Sequence, residues 1–257
     1  MSSLWTVAFL FLLPIGAQGV PGDLEGYTKQ NGGFVQLPPG SYVQGSVSYG
    51  GIQPDYKINV DDPALDNFLK EVVALARNNP DIRKAEYFAP PSKVRDLKIA
   101  FVTDLIRQTL VHRSYDSVPY LKVLREHREL SKDINLGSYI QCSAGVCREN
   151  ALLTHQALQA LKIESYYVYT KVQVGQRIED HAMVVVKDAN RLWIVDPYNA
   201  TFHGRDFNEM RDERSLSQLP RLVAPYARKS TYVGRIVEVL NYPTYWIPPA
   251  SCSHVFN

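Results

Sequence analysis

Three runs between Ser165 and Asp196 constrain this chain more than anything else in it. SYYVYTKVQV (165–174), HAMVVVK (181–187) and RLWIVD (191–196) are rich in Val, Ile, Tyr and Trp, the residues that fit a pleated, packed surface. Lys187-Asp188-Ala189-Asn190 supplies a hairpin turn between the last two. Upstream the period changes. Asp61 or Asp62 caps a helix with Pro63 at its first position, and Leu65, Phe68, Leu69, Val72 and Val73 recur at helical spacing. A second helix is expected over residues 92–112, where Val94, Leu97, Phe101, Leu105 and Val102, Ile106, Leu110 form a wide apolar face, and a shorter one over 119–127. Residues 131–138 read as a turn, 148–161 as a helix without Gly or Pro, and 232–240 as one more strand. Helices followed by antiparallel strands make an α+β fold, with a helix packed on an antiparallel β-sheet.

At 257 residues, 45 % hydrophobic and 21 % charged, the chain can bury one substantial core. A net charge of +2, with no block of basic residues, gives nucleic acid no footing. The opening MSSLWTVAFLFLLPIGAQG is nearly all apolar from Leu4 to Leu13, a run too short to span a bilayer, and ends in Ala17-Gln18-Gly19. No Lys or Arg precedes that run. A signal peptide over residues 1–19 is expected, hence a secreted or periplasmic protein with no stable membrane insertion once the leader is gone. Residues 20–60 are rich in Gly, Pro, Tyr and Ser and read as an extended lead-in: a wrapping arm, a pro-segment or a linker, with a short strand near 42–47. Residues 61–257 form the main domain.

The stretch QCSAGVCRENALLTHQALQAL (141–161) raises the question of chemistry. A cysteine usually packs as a small hydrophobe. A nucleophilic one needs a lowered pKa or a base, with donors for the oxyanion formed on a carbonyl. Cys147 stands where a helix begins, so unsatisfied backbone N–H groups and the positive end of the helix dipole favour its thiolate. Ala144-Gly145 permit close approach to that helix, whereas Cys142 lies in the loop. The third cysteine is Cys252. A Cys142–Cys252 bond would leave Cys147 free, although the sequence does not fix that pairing.

Six histidines are available as base. His155 lies eight residues along the same helix, out of reach. His112 and His127 sit at helix ends, while His203 and His254 fall in loop-like or terminal surroundings. His181 opens an apolar strand and is the best placed. Hairpin geometry then supplies its partner. A four-residue turn sets Asp196 directly opposite His181; a two-residue turn, with Asp188 facing Arg191, sets it diagonally on the same face. A three-residue turn without a bulge separates the two. A carboxylate at Asp196 would fix the imidazole tautomer and stabilise its charged form. The alternative is an ordinary turn-starting Asp before Pro197. Zinc-type ligand spacing, phosphate-binding glycine loops and a GxSxG elbow are all missing, and no cofactor or metal is expected.

GVCRENALLTHQAL (145–158), EDHAMVVV (179–186) and LWIVDPY (192–198) together resemble the transglutaminase-like core of the papain-like cysteine enzymes, over roughly residues 90–205. The resemblance implies Cys147 as nucleophile, His181 as general base and acid, and Asp196 as the orienting carboxylate, acting through a thioester on an amide-bearing protein or peptide. Gln141, six residues before Cys147, has the spacing of the papain-type oxyanion glutamine, or is an ordinary exposed loop residue. Many animal transglutaminases carry Trp after the nucleophile; this chain has Arg148, expected as a solvated helix residue, with pairing to Glu149 or Asp180 as the alternative. The flanking sandwich domains and calcium-loop pattern of that group are not found. These departures favour a hydrolytic protease or glutamine deamidase over a crosslinking transferase. An inactive transglutaminase-like binding module and a zymogen masked by residues 20–60 are the other readings.

Overall fold

The computed structural model describes residues 28–30, 34–37, 41–43, 56–57, 62–129, 134–189, 191–211, 234–239 and 244–246. The expected leader over 1–19, Cys252 and His254 lie outside them. Along the chain run β1 (Thr28–Gln30), β2 (Phe34–Val35), β3 (Ser41–Val43) and β4 (Tyr56–Lys57). Then come α1 (Pro63–Asn78), α2 (Pro80–Phe88), α3 (Pro91–Thr109), α4 (Val118–Glu129), β5 (Ile134–Asn135), α5 (Leu136–Gln141) and α6 (Cys147–Ala160). Finally there are β6 (Ser165–Val174), β7 (Arg177–Asp188), β8 (Arg191–Val195), α7 (Phe207–Arg211), β9 (Gly234–Val239) and β10 (Thr244–Trp246). The fold is α+β.

Asp62 caps α1 by accepting from the N–H groups of Ala64 and Leu65, with Pro63 at the first helical position. Its other carboxylate oxygen accepts the Gly137 N–H at 2.7 Å, which ties α5 to the start of α1. A side chain at Gly137 has no room: its Cβ would fall 2.3 Å from that carboxylate. This explains an element the sequence hides. Residues 136–138, with Gly137 and Ser138, fall in the stretch read as a turn, yet Asp62 and the buried Leu136 and Tyr139 hold 136–141 helical. The equally unexpected α2 starts at Pro80 with Asn79 capping it, its apolar contribution limited to Ile82 and Ala85.

β6, β7 and β8 form the antiparallel centre of one sheet. β7 is buried on both faces, and so it reads as a continuous apolar run. Ala182, Val184 and Val186 join the larger core under α6, α3 and α1, while Met183 and Val185 face a second cluster with Ile194, Phe202, Phe207, Met210 and Ile236. The free edge of β6 is shared. β2 pairs with Tyr167 and Val168, and β9 takes Thr170–Val174. The second sheet has the order β1-β10-β3-β4-β5. Residues from the 20–60 stretch therefore enter both sheets. Leu37 is fully buried, its N–H donating to His155 Nε2 (3.1 Å) and its carbonyl accepting from Gln156 Nε2 (2.8 Å).

Candidate active site

The site is assembled where α6 begins and β8 stops. The loop before α6 is pinned to the segment after α3: the His112 N–H donates to the Ser143 carbonyl and the Gly145 N–H to the His112 carbonyl, each at 3.0 Å. Gly145 passes so near Leu110 and Glu149 that a Cβ there would lie 2.9 and 2.8 Å from their carbons. This threading delivers Cys147 as the first residue of α6, 6 % exposed. Glu149, in the first turn, reaches back to accept the Val146 N–H at 2.9 Å, half of a capping box. Its other oxygen takes Arg148 Nε at 3.1 Å. Arg148 is thus buried and paired with Glu149, the alternative to the solvated residue expected; the fully buried Glu149 carboxylate draws it in.

The hairpin adopts the two-residue turn, with Asp188 facing Arg191 and Val184 facing Val195. Ala189 takes φ +49° in that turn. β7 begins four residues ahead of His181, which was expected to open it. Arg177–Glu179 are exposed, with Ile178 an isolated apolar residue between two charges, but they pair with β6 through to Val174. His181 consequently lies beyond the last β7–β8 pair, where the chain leaves β8 and turns Asp196 inward. His181 Nε2 and Asp196 Oδ2 are 2.6 Å apart, in a fully buried pair. Asp196 Oδ1 accepts the N–H groups of Tyr198 (3.0 Å) and Asn199 (2.9 Å), so the carboxylate cannot rotate away. Cys147 lies near enough to act electrostatically on the imidazole. With Nε2 taken by Asp196, Nδ1 is the nitrogen left for sulfur.

Burial alone would lower the His181 pKa. The charge and hydrogen bond of Asp196, helped by Cys147, override it and raise the value to about 10. The ring is an imidazolium at neutral pH. Three tyrosines are electrostatically coupled to Cys147. Burial, then Cys147, raises the phenol of Tyr115 well above its ordinary value, and the same two causes raise that of Tyr198 to about 12. Tyr167, whose buried hydroxyl has no hydrogen-bond partner, is raised by burial and by Tyr169 and Cys147 against the pull of Arg148. All three remain neutral O–H donors.

Gln141 ends α5 exposed to solvent, apart from these buried groups. Cys142 is half-buried against the core. His155 is buried in the core about two turns along α6 from Cys147, and His112 contributes its backbone. Sequence reasoning passed over His203, which is buried and accepts the Asp196 N–H on Nδ1 at 2.9 Å. It took Glu149 only as a partner for Arg148 and missed its capping role, although Glu three residues past a helix start is a readable capping signal. Among the described residues, no three His, Cys, Asp or Glu side chains converge as a metal site. An open cavity of about 510 Å³ lies at the other end of α6, lined by Arg95, Lys98, Leu161, Lys162, Ile163 and Lys187 among others. It is about 20 Å from Cys147 at the rise of an α-helix and includes none of the reactive side chains.

Residues 96–216 match the family model of the transglutaminase-like domain, a stretch that contains Cys147, His181 and Asp196. No curated protein matches the chain. Among solved structures it is similar to "a Putative Cysteine Protease from Cytophaga hutchinsonii", at 14 % identity over 86 % of this chain and 78 % of that one, with a TM-score of 0.33.

Proposed function

We propose that the transglutaminase-like domain of residues 96–216 makes this chain a cysteine acyl-transfer enzyme that hydrolyses amide bonds in a protein or peptide, as a protease or glutamine deamidase. The observation that supports it most is the buried His181–Asp196 pair at 2.6 Å beside a cysteine at a helix N-terminus. Such a pair holds the imidazole charged and oriented, and the charged ring in turn favours thiolate over thiol.

In the first half-reaction Cys147 Sγ⁻ attacks the carbonyl carbon. The developing oxyanion draws on the positive end of α6, with the Cys147 N–H as its nearest backbone donor. His181 then gives its Nδ1 proton to the departing nitrogen as the C–N bond breaks, leaving a thioester and neutral His181. In the second half-reaction neutral His181 takes a proton from water. The hydroxide attacks the thioester, the C–S bond breaks, and the Cys147 thiolate and His181 imidazolium return. Asp196 keeps its charge throughout. An amine in place of water would give crosslinking. Hydrolysis is preferred because Arg148, held by Glu149, stands where many crosslinking relatives carry Trp. The apolar run from Leu4 to Leu13 supports export, which N-terminal sequencing of the mature protein would test.

The test is alkylation of the native protein by iodoacetamide between pH 5 and 9, with peptide mapping. Cys147 labels rapidly well below pH 8 and is slowed by His181→Ala if the reading holds. An inert Cys147, or one reacting as an ordinary thiol in both proteins, would leave a binding module. Mass spectrometry of glutamine peptides then separates cleavage, deamidation and amine addition.

A further inference from the structure

Asp196 leaves β8 with its backbone N–H facing inward. The strand has ended at Val195, so no ladder partner remains, and the residue is 1 % exposed. A buried N–H in that position needs an acceptor. The chain supplies one by doubling back. The Phe202 N–H donates to the Asn199 carbonyl, Gly204 adopts φ +72° and returns its N–H to the Ile194 carbonyl, and the Ile194 N–H closes on Arg205. His203 is carried under Asp196 by that turn.

We infer that neutral His203 is a positioning residue for Asp196: its Nδ1 accepts the Asp196 N–H and so fixes the main chain from which the His181-binding carboxylate projects. The inference rests on the Cys147–His181–Asp196 reading and assigns that site a fourth member. The Asp196 segment is held at three places. His203 takes the N–H, the Tyr198 and Asn199 N–H groups take Oδ1, and Arg107 Nη1 from α3 takes the Pro197 carbonyl at 2.9 Å. Of the groups that hold the carboxylate's segment, only His203 changes its hydrogen-bonding role with its own protonation. The charged groups that act on the ring are Asp196 and Arg107. Burial lowers its pKa, Asp196 opposes and Arg107 reinforces, leaving a value of about 4. A protonated ring would turn a donor toward the Asp196 N–H, lose the bond and loosen the carboxylate. The pair that must stay charged, His181 and Asp196, is therefore held by a histidine that must stay neutral.

Two variants separate positioning from bulk structure. His203→Asn places Oδ1 close to the site of Nδ1 and accepts the same N–H without titrating. His203→Leu fills space and accepts nothing. Three readouts are taken together: Cys147 alkylation from pH 4 to 9, the far-downfield proton NMR signal of the His181 Nε2–H on Asp196, and tryptophan fluorescence to monitor folding. His203→Leu is expected to slow labelling at pH 6 by about tenfold, the effect of an unsatisfied buried donor, and to shift or broaden the His181 signal. His203→Asn is expected to recover most of the rate and to replace a steep, two-proton acid limb by a one-proton limb. Wild-type rates and an unmoved His181 signal in His203→Leu would overturn the inference. Should His203→Leu fail to fold, an acid limb of equal steepness in wild type and His203→Asn would overturn it just as well. If wild-type Cys147 is inert, the enzymatic reading falls, while the NMR comparison still decides whether His203 positions Asp196.

Discussion

His181 and His155 are hidden from water to the same degree, 2 % and 0 % exposed, yet they occupy opposite charge states. Around His181 the fold places a carboxylate and a thiol. Around His155 it places only neutral partners: Nδ1 meets Ser165 Oγ at 2.8 Å, and Nε2 accepts from Leu37 N–H at 3.1 Å, with Gln159 Nε2 also at 3.1 Å. Burial acts on both rings in the same direction. It lowers His155 to about 3, whereas at His181 the Asp196 charge outweighs it and the value reaches about 10. A buried histidine thus becomes structural or reactive through one neighbouring group, not through its depth.

Asp196→Asn is the strongest way to break this contrast. It removes the charge and leaves His181 to burial alone, so the ring turns neutral. Cys147 labelling below pH 7 and turnover of any identified substrate should fall by about 10³- to 10⁴-fold; a loss under tenfold would mean that Asp196 is not the controlling charge. His155→Ala comes next and strikes stability. It strands the Leu37 N–H and opens a cavity at the junction of β2 and α6, at a cost of about 3 kcal/mol in urea denaturation. The pH profile of Cys147 labelling should stay in place. Ser165→Asp inverts the comparison by giving His155 a carboxylate, and NMR titration should find that ring above its wild-type value.

The two environments also fix opposite sides of a pH–stability curve. His155 and His203 have folded values of about 3 and about 4, below the ordinary 6.5. Their stabilisation is present above pH 6.5 and is lost as pH falls toward 4 and 3, because the unfolded chain binds those protons first. The raised His181 works the other way. Its contribution is full below pH 6.5 and is lost as pH climbs toward 10. Thermal melts from pH 3 to 10 should peak near pH 6.5, and Asp196→Asn should flatten the alkaline side alone. The smallest effect is expected at the hairpin that sets the register. Ala189→Gly relieves φ +49° and should add about 0.5–1 kcal/mol without changing Cys147 labelling.

Strands β6 and β8 and helices α1, α3, α4 and α6 were legible because each writes its burial as a period in the sequence. The hairpin arithmetic brought His181 and Asp196 to one face, and the two-residue turn is the register found. Other features left no periodic trace. The first residues of β7 are exposed on a strand that is otherwise buried, so its continuous apolar run begins only after His181. α5 is held by Asp62, seventy-five positions away. Arg148 looks solvated until the burial of Glu149 is known. His203 depends on a turn that brings residue 203 back under residue 196, a relation that side-chain types alone do not encode. Composition and period report burial; they do not report which buried polar atoms meet.

The placement of β10 has a kinetic consequence. Its backbone pairs with β1 on one side and β3 on the other, joining residues 244–246 to residues 28–30 and 41–43. Contacts separated by some two hundred residues are slow to form, because loop closure is costly until the rest of the fold is in place. Synthesis delivers Cys147, His181 and Asp196 well before the strand that completes that sheet. These three residues thus leave the ribosome in a chain whose sheet is still open, and contact order delays its closure until synthesis has passed them.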